Sequence, residues 1–562
     1  MNQSALQSRI LPFGAPSQWR RLLLVAAMAT CLSPTVAVEP KRPERFDVVF
    51  YGGTSIGVMA AVQARRMGKS AALVEPSDRL GGMTSGGLGQ TDIGHSNRVG
   101  GLARDFYRRI AAHYDKPAVW KRESRDEYLA RHDVRQNPGG DMLWSFEPAI
   151  AKSIFEQFVE EAGIVVFYNE RLDAGQGVKL DGQRITSIVL ESGTELAARV
   201  FIDATYEGDL MAAAGVTYTF GRESRDQYEE SFNGVRLGSR EHQLKKPIDP
   251  NIIAGDPSSG LLPGIDPSGP GVEGQGDHRL QAYCLRLTLT DDPENRIPIE
   301  KPDDYDEQRY ELLFRNFSAG ETEVPWICSP MPNRKTDINN RTGISFDFVG
   351  QNYDYPESDY ARREQIVVAH RSYTHGLLWT LANHPRVPKH VRDEVGRWGF
   401  CRDEFIATGG WTPQLYVREA RRMVGGYVMT QHDCEQRRTV EDSVAMGSFQ
   451  MDSHNVQRYI DSDGHVQNEG DVQEWREMDA YPISYRSIVP RAGECDNLFV
   501  TVCVSASHIA FGSLRMEPVF MMLGQSAGTA AALAIDDDIS VQDVRYAELR
   551  ERLLSDGQVL GR

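Results

Sequence analysis

The residues with the most informative spacing are Gly52, Gly53 and Gly57, followed by Glu75, 23 positions after the first glycine. Glycines at this spacing permit a turn in which the backbone closely approaches a pyrophosphate. A carboxylate at this distance can accept hydrogen bonds from ribose hydroxyls. Thr54 stands where the G-x-G-x-x-G pattern usually has its second glycine. Together these five residues predict a dinucleotide-binding site.

The segments around these residues predict the strand–turn–helix–strand unit that would position them. Residues 47–51 form an apolar, β-branched run typical of a buried strand, and residues 58–67 have small and apolar side chains at helical spacing. Residues 69–74 form a second apolar strand that ends at Glu75. A helix that begins after the glycines directs its N-terminal N–H groups toward the phosphates.

A second glycine-rich segment, residues 79–87, favours a flavin over a nicotinamide cofactor. A plain nicotinamide-binding domain would begin a helix here, whereas Gly81 and Gly82, with Met83 and Thr84, are predicted to keep the backbone open along an extended cofactor. The alternative is a flexible surface loop. The segment therefore predicts contact with FAD.

Three further segments complete a resemblance to a known family. Residues 199–209 contain Ala204-Thr205, similar to an Ala-Thr-Gly motif, with Tyr206 in place of the glycine; residues 497–504 and 515–532 follow near the C-terminus. With the glycine segments, they resemble the FAD-dependent oxidoreductases of the glutathione-reductase/succinate-dehydrogenase superfamily. More narrowly, the chain resembles the secreted bacterial FAD-dependent oxidoreductase family, whose flavin domain is similar to that of heterodisulfide-reductase A.

This resemblance implies an α/β fold, an FAD-binding Rossmann-like domain of the glutathione-reductase type with a large inserted α+β substrate cap domain. The predicted divisions are a signal peptide (1–37), the FAD-binding domain in two parts (46–220 and 490–540), the cap (221–489) and a C-terminal tail or helix (541–562). Within the cap, residues 245–277 are predicted as loop, 280–290 as a strand, and 359–384 and 414–431 as helices. The charged residues Arg418, Glu419, Arg421 and Arg422 are predicted to form a salt-bridged helix face.

The resemblance also implies which residues contact FAD. The helix within residues 515–532 would direct its N-terminus at the pyrimidine edge of the flavin, where its dipole stabilises negative charge on the reduced ring. The predicted cofactor-binding residues are Gly52, Gly53, Thr54, Gly57, Glu75, Gly81, Gly82, Met83, Thr84, Ala204, Thr205, Gly524 and Ser526.

Four residues are predicted to take part in catalysis. His508 lies between the last flavin-domain strand and the following helix, and is the preferred base; hydrogen bonding to a neighbouring carbonyl is the alternative. Arg515, at the helix start, would stabilise the anionic ring, or would form an ion pair with Glu517 that caps the helix. Tyr485 and Arg486 precede the return to the flavin domain and are predicted to reach the substrate.

Composition and the chain's N-terminus bear on partners and location. The net charge of −17 argues against nucleic acid or an anionic membrane as the main partner. Arg20-Arg21 before the short apolar run 22–29 resembles a twin-arginine export signal, which predicts a periplasmic or secreted protein without a transmembrane segment after signal removal. The seven cysteines include no C-x-x-C pair, so no iron–sulfur cluster, redox dithiol or other metal site is predicted.

The sequence therefore predicts an exported FAD-dependent oxidoreductase. It would oxidise a polar small molecule, such as a carbohydrate, alcohol or amine, by hydride transfer to flavin N5, with oxygen, a quinone or a redox protein as the electron acceptor. One alternative is an NAD-dependent dehydrogenase. Another is a non-catalytic flavin-binding protein, because Thr54 and Tyr206 would crowd a closely approaching cofactor.

Overall fold

The computed structural model describes residues 43–131, 141–473 and 478–561. The strands are β1 Glu44–Tyr51, β2 Ala71–Glu75, β3 Val165–Tyr168, β4 Val178–Asp181, β5 Arg184–Val189, β6 Glu195–Asp203, β7 Tyr218–Thr219, β8 Leu287–Thr290, β9 Arg296–Ile297, β10 Trp326–Met331, β11 Lys335–Asn340, β12 Gly399–Cys401, β13 Arg422–Met423, β14 Ser443–Gly447, β15 Asp452–Ser453, β16 Gln457–Ile460, β17 Val466–Glu469, β18 Val472–Gln473, β19 Tyr481–Ser484 and β20 Leu498–Val500. The helices are α1 Ser55–Arg66, α2 Gly82–Ser85, α3 Gly101–Tyr114, α4 Arg125–Leu129, α5 Pro148–Ala162, α6 Asp209–Ala213, α7 Arg225–Tyr228, α8 Glu311–Ser318, α9 Tyr360–Asn383, α10 Lys389–Val395, α11 Gln431–Cys434, α12 His508–Leu514, α13 Glu517–Asp537 and α14 Tyr546–Ser555.

The largest sheet has the strand order β3-β2-β1-β6-β5-β4, and β20 pairs with the carboxyl end of β6. β1 lies parallel to both neighbours, because Val48 pairs with Ala71 of β2 on one side and with Val200 of β6 on the other. β4 and β5 extend the sheet antiparallel to β6. The predicted α/β fold is therefore confirmed as a mixed fold built on parallel strands.

The two helices that flank the first glycine turn pack closely on each other. A Cβ atom at Gly524 or Gly528 of α13 would overlap the carbonyl oxygens of Ile56 and Ala60 in α1. Gly524 and Gly528 are therefore needed for the close contact with α1. α13 is also the one helix among the described residues that is long and apolar enough to cross a membrane, but 94% of its apolar window is buried in the protein.

A second sheet is formed by residues within the predicted cap. Its strand order is β10-β11-β8-β12-β9, and all its pairings are antiparallel. The predicted strand 280–290 forms only over its last four residues, as β8. The predicted helix 359–384 is confirmed as α9, whose N-cap residue Asp359 accepts a hydrogen bond from the Arg362 N–H. The division into two domains stays a prediction.

The predicted helix over residues 414–431 is wrong. This segment is extended or irregular and contributes β13, which pairs antiparallel with β7. Four charged side chains of this segment are buried and do not lie on a solvated helix face: Arg418, Glu419, Arg421 and Arg422. The three arginines pair with carboxylates on other segments, and Glu419 pairs with the His508 imidazole. These tertiary ion pairs outweigh the helical propensity of the local sequence.

Two sequence predictions concern the chain's ends and its thiols. The export signal, residues 1–37 with Arg20-Arg21, lies outside the described residues. The six cysteines within the described part are free. Cys328 is half-buried, and the other five are buried: Cys284, Cys401, Cys434, Cys495 and Cys503.

Candidate functional site

The first glycine turn connects β1 to α1 and lies against Ala204, the residue that follows β6. Gly52 has a φ of +108°, and a Cβ atom there would lie 2.8 Å from the Ala204 carbonyl group. Thr54 is the N-cap of α1: its Oγ1 accepts from the Gly57 N–H at 3.3 Å and donates to the Ala204 carbonyl at 2.7 Å. A Cβ atom at Gly57 would overlap the Gly52 carbonyl oxygen. Thr54 therefore fits this turn through its hydroxyl group.

Glu75 lies at the carboxyl end of β2, beside this turn. Its Oε2 accepts from the Gly53 N–H at 2.9 Å, and its Oε1 accepts from the Ser77 N–H at 2.8 Å and the Ser77 hydroxyl at 2.6 Å. Burial raises the pKa of Glu75 to about 7, against these hydrogen bonds, which favour the ionised form. The structure brings the predicted carboxylate and the predicted glycines together.

The second glycine segment lies directly against the first. Gly81 has a φ of +102°, and its N–H donates to the Gly53 carbonyl at 2.8 Å. Residues 82–85 then form one helical turn, α2, where the sequence predicted open backbone. The Tyr206 hydroxyl accepts from the Met83 N–H at 2.9 Å, and a Cβ atom at Gly82 would come within 2.5 Å of that hydroxyl. Tyr206 therefore links the Ala204-Thr205 motif to the second glycine segment.

Glu517, the first residue of α13, connects the segments around this site. Its Oε2 accepts from the Ser55 hydroxyl at 2.5 Å and the Thr84 hydroxyl at 2.6 Å, and its Oε1 accepts from the Tyr206 hydroxyl at 2.9 Å. The carboxyl group is buried, which raises its pKa. The predicted ion pair between Arg515 and Glu517 is wrong, because Arg515 pairs with Asp452.

The remaining predicted cofactor residues divide into two groups. Ala204 and Thr205 border the first glycine turn, and the Thr205 hydroxyl donates to Asp203 at 2.7 Å. Gly524 lies against α1, and the Ser526 hydroxyl donates to the Val444 carbonyl of β14 at 2.7 Å. For Gly524 and Ser526, these internal contacts lend no support to cofactor binding, which stays a prediction.

Strand β15 brings two of the predicted catalytic residues together. His508 Nε2 lies 3.1 Å from the Ser453 hydroxyl, and its Nδ1 lies 2.7 Å from Glu419 Oε2. Arg515 donates to Asp452 Oδ2 at 3.2 Å. Burial, together with the nearby Arg422 and Arg222 charges, lowers the pKa of His508 to about 3, so its imidazole is neutral at neutral pH.

A buried charged cluster continues from Arg515 toward the second sheet. Asp347 accepts from Arg418 at 2.9 Å and lies 2.6 Å from His454 Nδ1, while His454 Nε2 lies 3.8 Å from Asp452 Oδ2. Arg515 also donates to the Tyr416 hydroxyl at 3.3 Å. We name as the charged cluster Asp347, Tyr416, Arg418, Asp452, His454 and Arg515. Sequence reasoning missed most of these residues because they lie on separate segments without a common spacing.

The other two predicted catalytic residues lie elsewhere. The Tyr485 hydroxyl donates to the Val541 carbonyl at 2.6 Å. Arg486 donates to Asp442 at 2.9 Å, and 52% of its side chain is exposed. The structure does not bring Tyr485 and Arg486 to the charged cluster, and their contact with substrate stays a prediction.

Comparison with known families decides the class of this protein. A family model described as FAD dependent oxidoreductase matches residues 47–553. The chain belongs to this family. It is therefore an FAD-dependent enzyme, and the predicted cofactor and enzyme class are confirmed. The matching family is that of FAD-dependent oxidoreductases and not of NAD-dependent dehydrogenases, the alternative that the sequence left open.

Three solved structures are similar to part of this FAD-dependent oxidoreductase. L-proline dehydrogenase from P. horikoshii is 14% identical with a TM-score of 0.23, over 33% of this chain and 59% of that one. L-amino acid deaminase from Proteus vulgaris is 14% identical with a TM-score of 0.23, over 33% of this chain and 54% of that one. NikD, an amino acid oxidase, is 14% identical with a TM-score of 0.22, over 32% and 57%. The chain thus spans under two thirds of each, and these similarities carry no argument about substrate. No curated protein matches the chain.

The residues at the carboxyl ends of β1, β2 and β6 fit FAD. Ligands of open α/β sheets bind at this edge, and α1 directs its N-terminus there, which favours a pyrophosphate. Glu75 would offer its carboxylate oxygens to ribose hydroxyls next to Gly53, and a Cβ atom at Gly53 would come within 2.7 Å of Glu75 Oε2. The N–H groups at the start of α1, the Glu75 carboxylate and the glycines of the turn therefore fit the adenosine diphosphate part of FAD.

The raised pKa of Glu75 predicts that FAD binding depends on pH. Because the ionised carboxylate is the better acceptor for ribose hydroxyls, FAD affinity is expected to rise by up to about tenfold per pH unit below pH 7 and to level off above it. Titration of flavin-depleted protein with FAD between pH 5.5 and 8.5 measures this. Glu75→Gln is expected to flatten the dependence, whereas Glu191→Gln, at an exposed ion pair with Arg171, retains it. An unchanged wild-type affinity over this range would contradict the prediction.

Proposed function

We propose that this enzyme is an exported FAD-dependent oxidoreductase that oxidises a polar small molecule, such as a carbohydrate, alcohol or amine. The observation that supports a polar substrate is the charged cluster itself. Arg515 belongs to the cluster and stands two residues before Glu517, which contacts Ser55 and Thr84 of the two glycine segments. The cluster is therefore connected directly to the cofactor-binding edge of the sheet.

The charged cluster can recognise polar groups because its side chains are buried and fixed. Arg515 is 4% exposed, and its Nε has no hydrogen-bond partner among the residues that the structure describes. An unpaired buried donor of this kind favours a substrate with a hydrogen-bond acceptor. The two terminal nitrogens of the guanidinium group also donate, Nη1 to the Tyr416 hydroxyl and Nη2 to Asp452 Oδ2.

FAD, when bound, supplies a two-electron acceptor for a hydride from the substrate. The chain must then remove one proton, and two histidines beside β15 are suited to that step. His508, the base proposed from the sequence, contacts Ser453 and Glu419. His454 contacts Asp347, and burial and the Arg418 charge lower its pKa, so it is also neutral. In both cases the adjacent carboxylate would stabilise the imidazolium that forms.

Export and the electron acceptor belong to the same proposal. Export rests on Arg20-Arg21 and the apolar run that follows. Recovery of the protein from the periplasm or medium, with its N-terminus beginning near residue 38, is the expected result; retention of the intact N-terminus in the cytoplasm would refute it. To identify the electron acceptor, oxygen, a quinone or a redox protein is added separately to the substrate-reduced protein. The acceptor is the one that restores the spectrum of oxidised flavin.

The main test is an absorbance spectrum of the purified protein under anaerobic conditions, before and after pools of sugars, alcohols and amines are added. Bleaching of the flavin bands by one pool supports the proposal. Bound flavin that no pool reduces would favour the non-catalytic flavin-binding protein.

Two variants separate the candidate bases. With the reducing pool at pH 7.5, loss of the general base is expected to slow flavin reduction about 10²–10⁴-fold without a matching loss of bound flavin. His454→Gln and His508→Gln are compared, with the exposed His390→Gln as control. A change in neither variant would exclude both histidines as the base.

A further inference from the structure

A cavity of about 320 Å³ lies among residues of the predicted cap, and none of the charged-cluster residues lines it. Its walls come from α8, α9, β16 and the segments near residues 263 and 348. The apolar part includes Leu312, Ile344 and Phe348, and the charged part consists of Arg309 and Arg458. A cavity of this size accommodates a small organic molecule.

Arg458 is the feature of this cavity that requires an explanation. It is 6% exposed, and within the described residues its side chain donates no hydrogen bond and forms no ion pair. Asp347, the carboxylate whose charge acts on Arg458, is already paired with Arg418 and His454. A buried guanidinium without a partner is costly, because it has lost its hydration without gaining a counter-ion.

Arg309 adds a second positive charge at the same cavity. Its Nη1 donates to the Ser372 hydroxyl at 2.9 Å, and no carboxylate in the described part of the chain pairs with it. The rings of Phe348 and Tyr373, which also line the cavity, stack at 4.1 Å between their centroids. The Tyr373 hydroxyl donates to the Ser345 carbonyl.

We infer that this cavity binds a small organic anion, with its carboxylate or phosphate group on Arg458 and Arg309 and an apolar body against Phe348, Leu312 and Ile344. Arginine favours such groups because its planar donors match two anionic oxygens. The anion supplies the counter-charge that Arg458 lacks. Its lining shares no residue with the predicted FAD-binding site, so its test does not depend on the proposed reaction.

The test uses the flavin-containing protein in a chloride-free buffer, with benzoate, phenyl phosphate and inorganic phosphate as probes. Calorimetry and thermal unfolding measure binding to the wild-type protein. One of the two organic anions is expected to bind with one site per chain and to raise the melting temperature. Inorganic phosphate is expected to bind at least about tenfold more weakly, because it lacks an apolar body. Equal binding of inorganic phosphate would support the anion site and overturn the apolar part of the inference.

Arg458→Met provides the decisive comparison. It is expected to abolish binding of the organic anion and, without anion, to raise the melting temperature, because an uncompensated buried charge is replaced by an apolar side chain of similar length. Arg309→Gln is expected to weaken binding about tenfold and to leave one site. Arg371→Met, which removes an exposed arginine from α9 next to the cavity-lining Ser372, should bind the anion as the wild type does. Absence of binding by all three probes, or wild-type affinity in Arg458→Met, would overturn the inference.

Discussion

Replacement of Glu517 by alanine is expected to lower the free energy of unfolding by about 3–5 kcal/mol and to reduce the amount of bound FAD. The variant leaves the hydroxyl groups of Ser55, Thr84 and Tyr206 without their acceptor in a buried site. Each buried donor left unsatisfied costs about 1–3 kcal/mol. Since these donors belong to the first glycine turn, the second glycine segment and the Ala204-Thr205 motif, their loss loosens three parts of the cofactor site at once.

Urea unfolding and the ratio of flavin to protein absorbance measure the effect of Glu517→Ala. The matched control is Glu548→Ala, which removes a glutamate from the first turn of α14, where it is exposed and paired with Arg545. That control is expected to change stability by less than about 1 kcal/mol. Equal stability and equal flavin content in both variants would contradict a connecting role for Glu517.

The β1–α1–β2 unit could be predicted because its information is local. The apolar run of β1, the glycine turn and Glu75 lie within about thirty residues, and the strand and helix periods are clear. Parallel pairing then places Glu75 next to Gly53 without any long-range choice. Helix α9 was predictable for the same reason, with Asp359 as its N-cap.

The segment containing Arg418 and Arg422 shows where local reasoning fails. Arginine, glutamate and alanine favour helices, so the sequence predicted one. The segment is extended because its side chains reach Asp347 and Glu223, which lie far away in the chain. No local pattern records which distant carboxylate will be buried beside which arginine, and the charged cluster was missed for that reason.

Thr54 and Tyr206 illustrate a second limit. The sequence marks both as departures from glycine, which predicted crowding of the cofactor. In the structure, the Thr54 hydroxyl joins α1 to Ala204, and the Tyr206 hydroxyl joins Met83 to Glu517. A motif gives the usual residue at a position, but whether a larger side chain fits depends on the direction of its Cα–Cβ bond and on partners from other segments. Thr54 and Tyr206 therefore do not by themselves indicate a non-catalytic protein.

Replacement of Arg422 by methionine is expected to lower the free energy of unfolding by about 3–5 kcal/mol, because it leaves buried carboxylates without their counter-ion. Arg422 is fully buried, and it forms an ion pair with Glu223 at 2.6 Å and another with Glu419. Its guanidinium also donates to the carbonyls of Gly221 and Ala506. Urea unfolding at pH 7.5 measures the loss, and Arg362→Met, at an exposed ion pair with Asp354, is the control with an expected change below about 1 kcal/mol.

The pH dependence of the Arg422→Met variant distinguishes lost ion pairing from lost packing. Without the arginine, burial raises the pKa values of Glu223 and Glu419 in the folded protein above their unfolded values, so the folded state retains protons that the unfolded state releases. The difference in stability from the wild type should therefore be largest at neutral pH and should shrink as the pH falls toward the unfolded pKa near 4.5. A difference that is the same at pH 5 and pH 7.5 would show that packing, and not charge, is what Arg422 contributes. His508 adds an independent readout: after burial, the Arg422 charge is the largest cause of its lowered pKa, so that pKa should rise in the variant.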